Sequence, residues 1–310
     1  KMNLKKNKIL ILGSTGFLGK NLCFKLKQKK IKFSTLTKKQ CNLLDYNKLL
    51  RILSKKKPDI IFNCAGKVGG IGYNIKNPSE IFYENIKMLL NIFKIASSLK
   101  VKKLINIGSS CCYPSRFTRK LKEKNLFEGK LHPTVEAYGF WKLASIIGAK
   151  AFNNEKKLVT INLIFPSLYG PMDKFDQENS HVISSLIVKF YNAVKMKKNS
   201  LTLWGTGNPV REFIFIDDAI EVLIKIAANY NSIKPINAGV GKGHKIKKIA
   251  FLLQKIYKFQ GKILWDPSKP DGQKYKLLDN NLIKNEIRWK PKIDIDLGLS
   301  KTVLWFKKNV

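Results

Sequence analysis

The sequence predicts a doubly wound α/β fold, in which a parallel sheet is covered by helices on both faces, followed by a smaller mixed α/β lobe. In the first half of the chain, short apolar segments alternate with segments of helical periodicity. The apolar segments are nearly continuous, which is typical of parallel strands that are buried on both faces. After about Pro171 this alternation ends, and loops rich in Pro, Asp and Asn separate the elements.

Each element of the first half has its own sequence signal, either a short apolar run or a helical repeat. The predicted strands are Lys8–Leu12, Phe33–Leu36, Asp59–Asn63, Leu104–Ile107 and Leu158–Ile164. The predicted helices are Phe17–Gln28, Tyr46–Leu53, Ser79–Leu99 and Val135–Phe152. Strands that alternate with helices in this way form a parallel sheet.

The second half is predicted to have shorter strands and to form a mixed α/β lobe. Helices are expected at His181–Met196, Asp217–Ala228, Ile246–Tyr257 and near Leu297–Lys307, and strands at Leu201–Trp204, Glu212–Ile216, Ile236–Ala238 and Lys262–Trp265. We expect residues 1–171, with about 212–240, to form the sheet domain. The remaining residues, about 172–211 and 241–310, are expected to form the smaller lobe.

Composition favours a cytoplasmic protein without a membrane segment, a metal site or disulfides. The apolar runs are too short to cross a bilayer, and no secretory signal pattern precedes the first strand. The five cysteines contain no CxxC pair. The formal net charge of +38 comes mostly from lysines spread along the whole chain. Specific base recognition favours arginine, so we expect solvated lysines and a general attraction for anionic substrates rather than nucleic-acid binding.

A glycine-rich loop follows the first strand and opens the first helix. The loop reads Gly13-Ser14-Thr15-Gly16-Phe17-Leu18-Gly19. Glycines let the backbone turn tightly and approach a pyrophosphate, whose charge faces the helix N-terminus. In this strand–loop–helix position the pattern predicts a Rossmann dinucleotide-binding sheet.

The end of the second strand indicates which dinucleotide is bound. An Asp or Glu at this place would bind the ribose hydroxyls of NAD, but the segment after Thr35 contains none and carries Lys38 and Lys39 instead. Two cations favour the 2′-phosphate of NADP, although solvated lysines are the alternative. Asp45 is expected either near the adenine or as a helix cap. After the third strand, small residues at Ala65 and Gly66 leave room for the cofactor.

Three polar residues form a candidate reductase site. Tyr138 and Lys142 are four residues apart on a predicted helix and share a face, while Ser109 follows the fourth strand. Hydride addition to a ketone produces an alkoxide that needs a proton. A lysine cation would lower the pKa of the tyrosine from about 10, and a serine hydroxyl would hold the carbonyl oxygen.

Together with these residues, six motifs resemble the GDP-L-fucose synthases, a family of extended short-chain dehydrogenases. They run in order over nearly the whole chain: Lys67-Val68-Gly69-Gly70-Ile71, Gly108-Ser109-Ser110-Cys111-Cys112-Tyr113-Pro114, Asn179-Ser180-His181-Val182-Ile183, Trp204-Gly205-Thr206-Gly207, Arg211-Glu212-Phe213 and Ser268-Lys269-Pro270-Asp271-Gly272. The resemblance implies 3,5-epimerisation of GDP-4-keto-6-deoxy-D-mannose, then NADPH-dependent reduction of its 4-keto group to give GDP-L-fucose.

The resemblance also implies roles for individual residues. Ser109, Tyr138 and Lys142 match the family's reductase triad, and Cys111 and His181 match its acid/base pair for epimerisation. Lys142 and His181 are further expected to contact the cofactor. A thiol and an imidazole suit proton exchange because their pKa values lie near neutrality. A homodimer is implied, built on the two long helices Ser79–Leu99 and Val135–Phe152.

The smaller lobe is expected to bind the GDP-sugar, with Arg211 pairing with the diphosphate. Further candidate contacts are Ser110, Lys189, Trp204, Lys269 and Asp271.

Two departures from the family pattern leave alternatives open. Ser167 replaces an asparagine near the sugar, so reduction of a GDP-4-keto-6-deoxy-heptose, with or without epimerisation, is the first alternative. Thr15 replaces an arginine that helps bind the 2′-phosphate. A remote alternative, based on the net charge, is a non-catalytic protein that binds NADP and nucleic acid.

Overall fold

The computed structural model describes residues 2–176 and 180–310. The first half contains six strands and five helices, in the order β1 (Ile9–Leu12), α1 (Phe17–Gln28), β2 (Ser34–Leu36), α2 (Tyr46–Lys56), β3 (Ile60–Asn63), α3 (Ile71–Lys76), α4 (Pro78–Ser98), β4 (Lys103–Ser109), α5 (Glu136–Lys156), β5 (Thr160–Phe165) and β6 (Ser167–Tyr169). The predicted strands and helices of this half are all present, with ends shifted by a few residues.

The second half adds six more strands and five more helices among the described residues. They are α6 (Val182–Lys195), β7 (Ser200–Trp204), β8 (Val210–Phe215), α7 (Ile216–Asn229), β9 (Ile236–Asn237), β10 (Gly243–Lys245), α8 (Ile246–Tyr257), β11 (Lys262–Asp266), β12 (Tyr275–Lys276), α9 (Asn281–Ile287) and α10 (Ile295–Asn309). The sequence does not predict α3, β6, β10, β12 or α9, since these elements are too short to show a hydrophobic period.

The main sheet confirms the predicted doubly wound parallel architecture. Its six strands lie in the order β2-β1-β3-β4-β5-β9, and every pair is parallel. The order reverses at β1, where the chain crosses from β2 on one side to β3 on the other. In such sheets, ligands bind beyond the carboxyl ends of the strands next to this point.

Two smaller sheets lie in the second half. In one of them β8 is central: it pairs with β10 in antiparallel register and with β12 and β6 in parallel register. In the other, β7 and β11 form a parallel pair. A mixed lobe next to the parallel sheet is what the sequence predicted.

Apolar side chains cover both faces of the main sheet. On one face, α2, α4 and α5 pack against alternate strand residues such as Leu10, Leu12 and Ile61. On the other face, a larger core runs from Ile11 and Phe62 through α7 into the second half at Phe190 and Trp289. The two halves of the chain therefore share one continuous core.

A buried lysine links the main sheet to α7. The Lys103 side chain at the start of β4 is almost fully buried, and its Nζ donates to the carbonyl oxygens of Ala227 and Tyr230 and to Oδ1 of Asn231, each at 2.8 Å. These acceptors lie at the C-terminal end of α7, where a cation is favoured by the helix dipole.

No helix within residues 2–176 and 180–310 is long and apolar enough to cross a membrane. The same residues contain no group of three or more His, Cys, Asp or Glu side chains placed to hold a metal ion.

Candidate active site

A cleft of about 330 Å³ lies at the carboxyl end of the main sheet, between the sheet and the second half of the chain. It brings together Ser109, Cys111 and Tyr138 from the first half with His181 and Arg211 from the second. These residues come from four separate parts of the sequence, since Ser109 and Cys111 are two residues apart. The further candidate residues that line it are Ser110, Lys189, Trp204 and Asp271.

The glycine loop has the shape of a phosphate cradle. Gly13 has a φ of +73°, and a Cβ there would lie 2.6 Å from the backbone of Ala65. A Cβ on Gly19 would lie 2.1 Å from the carbonyl oxygen of Gly13, so α1 approaches the loop more closely than any side chain allows. Gly16 precedes the first turn of α1 and has no side-chain cap, which leaves the first N–H groups of the helix for a ligand. The loop therefore fits a dinucleotide pyrophosphate.

The other candidate cofactor residues differ in how open they are. Ser14, Thr15 and Phe17 are exposed or partly exposed, while the Leu18 side chain is buried in the core, so only its backbone is available to a ligand. Ala65 and Gly66 follow β3 beside the glycine loop, and a Cβ on Gly66 would strike the ring of Trp141.

The two lysines after β2 are exposed, and Asp45 has a structural role. Lys38 and Lys39 lie in a turn in which the Thr37 N–H donates to Gln40. Asp45 caps α2, since its Oδ1 accepts from the N–H of Lys48 at 3.0 Å. The helix cap, one of the two roles expected for Asp45, is therefore present.

Helix α5, which carries Tyr138 and Lys142, is attached to the sheet by a buried polar ladder. Asn63, Asn106 and Asn162 occupy the same register position on β3, β4 and β5. Asn63 Nδ2 donates to Asn106 Oδ1 at 3.0 Å, and Asn106 Nδ2 donates to the Ser145 hydroxyl of α5 at 2.9 Å. The Ser145 hydroxyl donates to Asn162 Oδ1 at 2.5 Å. Buried polar groups bonded in this way specify one position of the helix.

The reductase candidates lie close together, and burial favours the neutral forms of Tyr138 and Lys142. Burial raises the pKa of Tyr138, and a hydrogen bond with Ser109 opposes the effect. Burial lowers the pKa of Lys142 to about 7, and its Nζ donates to the Ile107 carbonyl oxygen at 2.5 Å. From the sequence, Lys142 was expected to lower the pKa of Tyr138. In this structure that expectation is wrong, because the lysine is itself desolvated and bonded to the strand backbone.

Cys111 has the opposite character, because cations surround its thiol. Burial raises the pKa of this thiol, but the Lys276 ammonium, the Ser109 hydrogen bond and Arg211 lower it. Their combined effect is larger, so the net pKa is below that of an ordinary thiol. Lys276 Nζ lies 3.2 Å from Cys111 Sγ. The neighbouring Cys112 is fully buried, and burial raises the pKa of its thiol. Cys111 is therefore the cysteine suited to act as a base.

His181 is exposed and lies at the N-terminal end of α6. Nearby, the buried Ser184 of α6 donates a short hydrogen bond to Asp173. Burial raises the pKa of Asp173, and His181 opposes this through its charge. Asn179, which belongs to the same sequence motif, lies outside the described residues.

The substrate candidates form a second group at the far end of the cleft. Trp204 is half-exposed, with Lys189 Nζ and Lys269 Nζ at 5.3 and 5.8 Å from its ring centroid. Asp271 accepts from the N–H and the hydroxyl of Thr206, so its carboxylate fixes the turn after Trp204.

Arg211 is partly buried, and within the described residues its guanidinium donates to the carbonyl oxygens of Val210 and Asp271, at 3.0 and 3.3 Å. Burial lowers its pKa. The group retains donors that face the cleft, as an anion site requires.

Two ionisable residues of the described cleft lining, Lys276 and His132, were not predicted from the sequence. Lys276 is separated from Cys111 by 165 residues and sits in a segment with many lysines. His132 precedes a proline before the catalytic helix. Neither position carries a local pattern that distinguishes it from surface residues.

Comparison with known proteins places the chain in a family. Residues 9–239 match the NAD dependent epimerase/dehydratase family. The chain is 35% identical to GDP-L-colitose synthase from Yersinia pseudotuberculosis over 96% of its length and 97% of the relative's. It is 31% identical to GDP-L-fucose synthase from Escherichia coli K12, with coverage of 99% and 98%.

Solved structures give the same result. A GDP-6-OMe-4-keto-L-xylo-heptose reductase from C. jejuni superimposes with a TM-score of 0.92, at 26% identity, over 100% of this chain and 99% of that one. A GDP-L-fucose synthetase from Naegleria fowleri bound to NADP gives 0.88 at 26% identity, over 100% and 96%. The chain belongs to the NAD dependent epimerase/dehydratase family. Within that family it is a short-chain dehydrogenase of the GDP-L-fucose synthase type.

Replacement of Lys276 by Met should raise the pKa of the Cys111 thiol, because the ammonium that stabilises the thiolate is lost. At pH 7 the rate of Cys111 alkylation by iodoacetamide should fall about tenfold, which corresponds to about one pKa unit. The rate is measured against pH by mass spectrometry of the Cys111 peptide.

Lys274→Met is the matched control, since Lys274 is exposed two residues away. It should leave the alkylation profile unchanged. Equal profiles for wild type and Lys276→Met would contradict the assignment.

Proposed function

We propose that this protein converts GDP-4-keto-6-deoxy-D-mannose into GDP-L-fucose by 3,5-epimerisation and NADPH-dependent reduction at C4. The observation that carries the proposal is the meeting of Ser109, Tyr138, Cys111 and His181 in one cleft beside a phosphate cradle. The first half of the chain would bind NADPH, and the lobe with Trp204 would bind GDP. We also propose that the protein is cytoplasmic.

In the reduction step, bound NADPH would supply the hydride for C4 of the ketone. The Ser109 hydroxyl binds the carbonyl oxygen, and the Tyr138 hydroxyl gives its proton to the oxygen as the negative charge develops. The raised pKa of Tyr138 keeps this hydroxyl protonated before reaction. Lys142 fits a role in orientation and proton resupply, since its pKa of about 7 lets it exchange protons near neutrality.

In the epimerisation steps, the Cys111 thiolate removes a proton from a carbon next to the C4 ketone. The electron pair moves onto the ketone oxygen, where Ser109 and Tyr138 donate hydrogen bonds to the enolate. His181 returns a proton to the carbon from the other side, which inverts its configuration. Lys276 and Arg211 favour the thiolate that starts the sequence.

A GDP-4-keto-6-deoxy-heptose is the second candidate substrate. It is favoured by the fold similarity to a GDP-heptose reductase and by Ser167, which lines the cleft with a side chain smaller than asparagine. A smaller residue leaves room for a larger substituent on the sugar.

The reaction is tested with NADPH and GDP-4-keto-6-deoxy-D-mannose in deuterated water. NADPH should be consumed, and NMR should show deuterium at C3 and C5 of a product with the L-fucose configuration. Consumption without deuterium would indicate a simple C4 reductase. No consumption with this substrate, but turnover of the heptose analogue, would favour the second candidate.

In Cys111→Ser, deuterium incorporation should fall by at least about a hundredfold, while reduction of an already epimerised substrate continues.

The preference for NADP is assigned to Lys38 and Lys39. The double variant Lys38→Ala/Lys39→Ala should raise the KM for NADPH about tenfold or more and leave that for NADH nearly unchanged, because only NADPH carries the 2′-phosphate. Steady-state kinetics with both cofactors measures the difference. Lys29→Ala/Lys32→Ala removes the same charge before the amino end of β2, and it should change neither KM. Equal effects on both cofactors would remove the assignment.

We also propose a homodimer built on α4 and α5. These helices pack against each other, and the rings of Phe82 and Phe140 are 5.8 Å apart. Large apolar side chains on the two helices remain 44% to 58% exposed: Phe82, Tyr83, Leu90, Phe140 and Ile147. A two-fold arrangement would let each copy cover the same face of the other.

Ile147→Glu should convert the dimer into a monomer, because it places a charge at the centre of the buried face. Light scattering coupled to size exclusion measures the mass. Leu304→Glu is the control, since Leu304 on α10 is equally exposed but lies outside the proposed face. A wild-type monomer at micromolar concentration, or dissociation by both variants, would contradict the proposal.

A further inference from the structure

His132 lines the cleft but belongs to none of the groups assigned above. It lies just before the turn Pro133–Val135 that leads into α5, and it is partly buried. Thr134 lines the cleft beside it. The only structural role of the side chain seen among the described residues is to cap this turn.

Hydrogen bonds favour one tautomer of the His132 ring. Its Nδ1 is 2.8 Å from the Thr134 hydroxyl oxygen and 3.4 Å from the Thr134 backbone nitrogen. A hydroxyl can donate or accept, but a backbone N–H can only donate, so the pair of contacts favours Nδ1 as the acceptor. In a neutral ring the proton is then on Nε2, and His132 is a hydrogen-bond donor at its other edge. Within residues 2–176 and 180–310, no protein group hydrogen-bonds to Nε2.

The surroundings keep this ring neutral. Burial lowers the pKa of His132, and the cations Lys276 and Arg211 lower it further. A neutral donor is poorly suited to bind a phosphate, for which Arg211 is already present. It suits an uncharged oxygen, which gains a directed hydrogen bond without competing for the diphosphate.

We infer that His132 is a sugar-binding residue, whose Nε2–H donates to an uncharged oxygen of the hexose, such as a hydroxyl or the ring oxygen. This inference rests on the proposed function, since it requires a GDP-sugar in the cleft. It adds a specificity contact from the same cleft lining that holds Cys111 and Lys276.

Two substitutions separate sugar binding from capping. In His132→Asn the amide oxygen lies near the position of Nδ1, so the cap is kept and the distal donor is lost. In His132→Gln the amide nitrogen lies near the position of Nε2, so the donor is kept and the cap is lost. Titration calorimetry with the NADP-loaded protein measures the Kd for GDP-mannose, a stable GDP-sugar, and for GDP. Melting temperature reports the loss of the cap.

His132→Asn should weaken GDP-mannose binding about five- to tenfold, as expected for one lost hydrogen bond, and leave GDP binding unchanged. His132→Gln should bind GDP-mannose within about twofold of wild type, even where its melting temperature falls. The reverse pattern, with Asn like wild type and Gln impaired, would reduce His132 to a cap. Equal losses for GDP and GDP-mannose would move the contact to the diphosphate and overturn the inference.

The proposed function fails in a different way. It is contradicted if the wild-type protein binds neither GDP nor GDP-mannose, and the inference about His132 then falls with it. If the wild type binds both probes with equal affinity, the GDP site stands but the sugar contact does not.

Discussion

The attachment of α5 to the sheet is the constraint on which the active site depends. Three asparagines in register across β3, β4 and β5 meet Ser145 of this helix in a buried polar ladder. Lys142, on the same helix, bonds to the backbone of β4 at Ile107. Because the interior is apolar on either side, sliding the helix would leave several buried amides without partners, at a cost of about 1–3 kcal/mol each. Tyr138 is thereby held at the carboxyl end of β4, beside Ser109.

Two electrostatic environments lie side by side in this cleft. Tyr138 and Lys142 are desolvated, so burial favours their neutral forms. Cys111 lies within reach of Lys276 and Arg211, which favour its thiolate. A reductase needs a protonated hydroxyl, whereas an epimerase needs a base, and pKa shifts in opposite directions let one cleft hold both. The large positive charge of the chain adds a general attraction for a nucleotide diphosphate.

Much of the fold could be predicted from local patterns. The strands of the parallel sheet are short apolar runs, and the helices have clear hydrophobic periods. The glycine loop is recognised from the spacing of its glycines between the first strand and the first helix. Short elements such as α3 and β12 escaped prediction because two to six residues carry no period. Asp45 illustrates an ambiguity that local sequence leaves open, because the same residue suits an adenine site and a helix cap. In the structure its carboxylate accepts from the Lys48 N–H and caps α2.

The sequence by itself determined the doubly wound class, the position of the glycine loop and the shared helix face of Tyr138 and Lys142, because these depend on local patterns and spacings. Only the tertiary structure decided which groups meet. Lys276 reaches Cys111 across 165 residues, and it does so because β12 pairs with β8 beside the cleft. The tautomer of His132 and the burial of Lys142 were likewise decided by neighbours in space. Protonation depends on burial and nearby charge, and neither is fixed until the chain has folded.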